Sequence, residues 1–172
     1  MHITRCQIYL VEIKQTSPLA PYRSHIRTTD TTTKAIVELT TNTGLVGWGE
    51  HNQNFLDGIS IAGQNIAATE FIDGWDPYNI EQFHVENPFD TRLRCGLEMA
   101  MWDIIGKDNN LPLYKMLGGK VRERISLAAC MGIQSYERAG ELARWYVEQG
   151  FTALKTKAGS DAQEDLDMVR GV

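Results

Sequence analysis

The sequence predicts an α+β front part, an antiparallel meander followed by helices, and a back part of alternating strands and helices around a parallel sheet. Three observations predict it. Residues 3–50 alternate β-rich runs with turn chemistry. Residues 57–107 take up a helical period. From Ile125 the chain reads strand, helix, strand, helix, the grammar of parallel βα units.

Each element follows in order. Residues 3–13 mix Ile3, Ile8, Leu10 and Val11 with polar neighbours and read as a strand. Thr16 to Thr32 is polar, holds Pro18 and Pro21, and reads as a loop carrying Tyr22, Arg23, His25 and Arg27. Residues 33–41 and 45–50 are β-rich, and Asn42-Thr43-Gly44 between them is hairpin chemistry. Residues 57–72 suit a helix that Gly74 and Pro77 break, and 79–85 suit a short one ended by Pro88. Residues 91–107 give the clearest amphipathic signal, with Leu93, Leu97, Ala100 or Met101, and Ile104 on one face. A short segment starts at Pro112 and ends at Gly118-Gly119. Residues 125–131 are almost continuously apolar, as in a strand buried on both faces. Ser135 to Gln149 reads as a helix with Gly150 as its C-terminal stop. Residues 152–158 form the next strand, and Asp161 caps a last helix with Glu164 as capping-box partner. A two-stranded parallel sheet with apolar faces cannot cover its own edges, so more chain is expected beyond Val172.

Composition narrows the function classes. A length of 172 residues suffices for one core, or one small domain and part of another. The net charge of -5 leaves no basic face for nucleic acid or anionic lipid. No apolar run approaches the roughly 20 residues of a membrane helix, and the N-terminus lacks the pattern of a signal peptide. Cys6, Cys95 and Cys130 are odd in number and far apart, which fits reduced thiols in a cytoplasmic setting.

Four segments, in order, resemble one family. They are Gly47-Trp48-Gly49-Glu50 (a G-x-G-E strand end), Glu98 to Lys107 (an alanine-rich W-D-I-x-G-K helix), Leu111 to Gly119 (a P-L…L-G-G turn), and Lys155-Thr156-Lys157 (K-x-K at a βα strand end). On these the chain resembles the mandelate racemase/muconate lactonising enzyme family of the enolase superfamily. The resemblance implies an α+β capping domain over residues 1–124. Residues 125–172 would then be the first two βα units of a TIM-like barrel, which takes about 250 residues when complete.

The family chemistry is abstraction of the proton α to a carboxylate, with Mg²⁺ stabilising the enediolate. The metal ligands would be acidic residues on later barrel strands, downstream of residue 172, with none in this chain, so the 172 residues alone are expected to be inactive. Lys155 and Lys157 point to the same side of a strand. Repulsion between two ammonium groups lowers a lysine pKa, which suits a general base. By resemblance Lys157 is the base and Lys155 faces the substrate carboxylate. The Thr16 to Thr32 loop matches the mobile cap loop, and Tyr22, Arg23 and His25 become substrate-binding candidates. A second lid loop, His51 to Asp57, adds Phe55. His51 itself reads as a hydrogen-bonded surface residue, and Glu50 and Asp103 as structural hydrogen-bonding groups. The basic cap loop suits an acidic substrate such as a sugar acid. The outcome could be dehydration, racemisation or cycloisomerisation, with acid-sugar dehydration favoured. A homo-oligomer is expected. The competing class is a non-catalytic capping fragment acting as a binding or oligomerisation module, which the mass of the natural product would distinguish.

Overall fold

The computed structural model describes residues 1–52, 60–159 and 161–172. Two compact units result. Met1–Glu12 with Thr33–Val121 form the first, and Ile13–Thr32 with Arg122–Val172 form the second.

The first unit is built on strands β1 (Ile3–Lys14), β4 (Thr31–Thr41) and β5 (Val46–Asn52), in the order β1-β4-β5. The predicted hairpin is present, with Lys34 opposite Asn52 and Thr40 opposite Val46 in an antiparallel ladder. Gly44 turns it at φ 83°. Strand periodicity sends Ala35, Val37 and Leu39 to one buried face. Helices α1 (Ile61–Ile72), α2 (Ile80–Glu86), α3 (Thr91–Asp108) and α4 (Leu113–Met116) follow. Asp90 caps α3 by accepting from the N–H groups of Arg92 and Leu93. The face of α3 predicted from the sequence is the buried one: Leu93, Leu97, Ala100, Met101 and Ile104.

Two glycines set how closely α3 lies on β5. A Cβ on Gly47 would run into the carbonyl oxygen of Ala100, and one on Gly49 into that of Gly96. The aspartate and lysine of the W-D-I-x-G-K helix then reach the open edge of β5. Asp103 Oδ2 accepts the Trp48 N–H at 2.9 Å, and Lys107 Nζ donates to the Val46 carbonyl and to Asp103, each at 2.6 Å. An edge strand whose polar groups are occupied cannot recruit another strand there. Asn65 of α1 treats β1 the same way, accepting from the Ile8 N–H at 2.6 Å and donating to its carbonyl at 2.9 Å.

His51 departs from the surface role expected of it. It points inward from β5, is 6% exposed, and its ring lies against Gly96. Alternation along the strand puts His51 on the same side as Gly47 and Gly49. Glu50 faces outward and pairs with Lys34 at 3.2 Å.

In the second unit, β6 (Ala129–Cys130) and β7 (Leu154–Lys155) pair in parallel, with Ala129 opposite Leu154 and Cys130 opposite Lys155. The predicted strands 125–131 and 152–158 shrink to these short ladders. Regular pairing exists only where the two segments run side by side, and Ile125 and Leu127 are 74% and 69% exposed. Helices α5 (Tyr136–Glu148) and α6 (Ala162–Gly171) cover one face, burying Ala129, Met131, Leu142, Tyr146 and Met168. Ser135 caps α5, and Gly150 at φ 89° ends it. The polar 16–32 loop holds a small hairpin of β2 (Tyr22–Arg23) and β3 (Thr28–Thr29).

Candidate active site

Lys155 ends β7 and is exposed; Lys157, two residues on, is half-buried, as is Thr156 between them. The parallel register sets Cys130 beside Lys155. The Tyr146 hydroxyl donates to the Cys130 carbonyl at 2.9 Å from below, fixing the end of β6.

The β2–β3 hairpin meets this same strand end. The Tyr22 hydroxyl lies 3.6 Å from the Cys130 sulfur. Burial, then the contact with Cys130, pushes the Tyr22 phenol up to about 12. His25, at the hairpin tip, is exposed and stands close to Gly159: a Cβ on that glycine would be 3.8 Å from the His25 Cβ. Gly159 takes φ 106°, and its N–H donates to Asp165 Oδ2 at 2.7 Å. The structure therefore brings Tyr22 and His25 to the strand end that carries Lys155 and Lys157. Phe55 lies outside the described residues.

Arg23 is placed differently from a free substrate-binding arginine. Its guanidinium forms a two-point pair with Glu164, Nη1 to Oε1 at 2.5 Å and Nη2 to Oε2 at 3.1 Å. Glu164 was expected to complete a capping box; Asp161 Oδ1 does accept from the Gln163 and Glu164 N–H groups, but the Glu164 carboxylate turns to Arg23 instead. The Arg23 backbone is held as well, since its carbonyl accepts the Ile133 N–H at 2.8 Å. Gly132 makes that approach possible: a Cβ there would stand 2.6 Å from both N and O of Arg23.

Cys130, Gly132 and Glu164 were missed as site residues. A glycine just past an apolar strand and an acid at a helix start carry only local signals in sequence, and their partner is more than a hundred residues away.

Among the described residues no group of three or more histidines, cysteines or acids could hold a metal ion. The described residues therefore do not fit a magnesium site.

An antiparallel sheet backed by a glycine-matched helix, in a chain that also carries a parallel βα pair, defines a class: proteins with an N-terminal capping domain of antiparallel strands and helices. The chain belongs to the mandelate racemase/muconate lactonizing enzyme family of the enolase superfamily, whose N-terminal domain model matches residues 7–118. It is 30% identical to a hydrophobic dipeptide epimerase of Enterococcus faecalis, over 94% of this chain and 46% of the relative. It is 24% identical to an N-succinyl-L-Arg/Lys racemase of Bacillus cereus, over 100% and 48%. The crystal structure of the E. faecalis dipeptide epimerase with Mg and the dipeptide L-Leu-L-Tyr superposes with a TM-score of 0.86 at 28% identity, covering 99% of this chain and 49% of that one. The chain thus spans about half the length of the curated relatives it matches, which are epimerases, racemases, dehydratases and cycloisomerases.

Proposed function

We propose that the protein carrying this chain is a cytoplasmic, homo-oligomeric enzyme that removes the proton α to a carboxylate, and that Lys157 is its base. The observation that carries the reading is the convergence of the K-x-K strand end with the Tyr22–His25 hairpin in one unit. The Nζ of Lys157 takes the α-proton. The Lys155 ammonium stands by the substrate carboxylate, where charge grows as the proton leaves. His25 and the exposed Arg27 face the distal end of the substrate, because Arg23 is held by Glu164. Magnesium dependence is part of the proposal, with ligands from outside the described residues.

Epimerisation or racemisation is the outcome favoured, on the 30% identity to the dipeptide epimerase over 94% of this chain, against 27% to a D-galactarolactone cycloisomerase over 100% of it. Acid-sugar dehydration is a second reading, supported by the His25 and Arg27 cations on the loop. Incubation of the enzyme in deuterated buffer with a panel of L,L-dipeptides, N-succinyl amino acids and sugar acids separates the two. Epimerisation exchanges the α-proton and keeps the substrate's composition, whereas dehydration loses water. Retention of every α-proton across the panel would sink the proton-abstraction reading.

A further inference from the structure

The β2–β3 hairpin and the segment leading into it are tied to the rest of the second unit by three contacts that the proposed chemistry does not use. Glu164 grips the Arg23 guanidinium at two points. Ile133 N–H holds the Arg23 carbonyl at 2.8 Å, over the bare Cα of Gly132. Arg138 Nη2 reaches the Pro18 carbonyl at 3.4 Å. Two of the three converge on one residue. From Arg23 the chain runs two residues to His25, beside Gly159, which itself lies two residues beyond Lys157.

We propose that Glu164 is a positioning residue: through Arg23 it fixes the base of the cap hairpin, and thereby sets His25 beside the strand end that carries Lys155 and Lys157. The proposal rests on the proton-abstraction reading for its functional meaning, though not for its structural test. Glu164 touches no substrate. Its carboxylate sits in the first turn of α6, where the helix N-terminus favours negative charge. The guanidinium presents a planar fork that a carboxylate matches only in one plane. That plane fixes the rotation of Arg23, and with it the direction in which the hairpin leaves β2. Gly132 acts in the same sense from beneath, because any side chain there would lift the Arg23 backbone away.

The test uses trypsin cleavage after Arg27, which lies on the hairpin and is exposed, with cleavage after the exposed Arg144 inside α5 as the control for unfolding of the second unit itself. Glu164→Gln keeps the size of the side chain and removes its charge. It is expected to speed cleavage at Arg27 about three- to fivefold, the range for losing a partly exposed ion pair, with the Arg144 rate unchanged. Arg23→Met should do the same, and the double variant should be no faster than either single one. Gly132→Ala should release the same site by a route that leaves both charges intact. A Glu164→Gln protein cut at Arg27 at the wild-type rate, or a double variant whose effects simply multiply, would overturn the proposal. In the exchange assay with L-Leu-L-Tyr as probe, Glu164→Gln should raise KM about fivefold and leave kcat within about twofold, because hairpin placement serves binding rather than the proton transfer. A loss of kcat with KM unchanged would overturn the positioning role. If neither wild type nor variant exchanges the α-proton of any substrate in the panel while cleavage at Arg27 still responds, the chemical reading fails and the hairpin anchor stands.

Discussion

Single residues in this chain act through space as much as through contacts. Gly49 and Gly44 make the contrast. Gly49→Ala would drive a methyl into the Gly96 carbonyl of α3. Overpacking of this kind costs about 1–3 kcal/mol, which in a chain of this size lowers the melting temperature by several degrees, measurable by calorimetry. Gly44→Ala meets nothing within 4 Å, but asks alanine to take φ 83°. Its cost is conformational, about 1 kcal/mol, and Gly44→Asn should recover most of it, since asparagine tolerates that region. Cys6 offers a second residue-scale test. Burial pushes its thiol from 9.0 up to about 12, while Cys95 and Cys130 are exposed. At pH 8 a disulfide reagent should therefore titrate two thiols in the native chain and a third only after unfolding. The same shift has a stability sign. Between pH 9 and 12 the unfolded chain releases the Cys6 proton while the folded chain keeps it. The contribution is complete below pH 9 and is lost as pH rises toward 12, by at most about 1.4 kcal/mol per pH unit. Urea midpoints measured from pH 8 to 10.5 should fall, and Cys6→Ala should flatten the part of the fall that begins near pH 9.

Elements are held at their edges by side chains from neighbouring helices. Asp103→Ala would leave the Trp48 N–H without its acceptor and Lys107 without its carboxylate. The expected loss is about 1–3 kcal/mol, with faster hydrogen exchange at the Trp48 amide and little change at Val37 in the middle of the sheet. This is also the scale at which the sequence was most legible. The α3 face, the Asn42–Gly44 turn, the start of α5 near Ser135, the cap at Asp161 and the stop at Gly150 are local patterns with local causes, and each stands where it was read. The strands at 125–131 and 152–158 were overextended because an apolar run reports what a strand could bury, and only the partners present decide how much ladder forms. His51 was misplaced for a related reason. Its neighbours in sequence are polar, but the alternation of β5 turns it inward against Gly96. Arg23 and Glu164 were each noticed for a local role, and nothing in either segment announces that they meet.

For the whole molecule, family membership is carried by residues 7–118, whereas the proposed chemistry is carried by Lys155 and Lys157, in the second unit. The 172-residue chain alone should bind Mg²⁺ weakly at best, because a tight site needs several converging oxygen ligands; calorimetry showing stoichiometric micromolar binding would count against this. For the proposed proton abstraction the decisive substitution is Lys157→Ala in the protein that carries this chain. The side chain sits at a strand end, outside the buried set of Ala129, Met131, Leu142, Tyr146 and Met168, so its removal should leave folding intact. It should remove the group that accepts the α-proton, and general-base loss typically costs a factor of about 10² to 10⁴ in rate. Lys155→Ala should also be damaging, for a different reason: the substrate carboxylate loses its cation, so both binding and the developing charge suffer. Because the proposed mechanism has both lysines serve one proton transfer, their effects should be far from additive, with the double variant scarcely slower than Lys157→Ala. The measurement is exchange of the substrate α-proton with deuterated solvent, resolved by stereochemical face. Should Lys157→Ala exchange the proton from the same face at the wild-type rate, the base is another residue, and the convergence of hairpin and strand end would need a different chemical purpose.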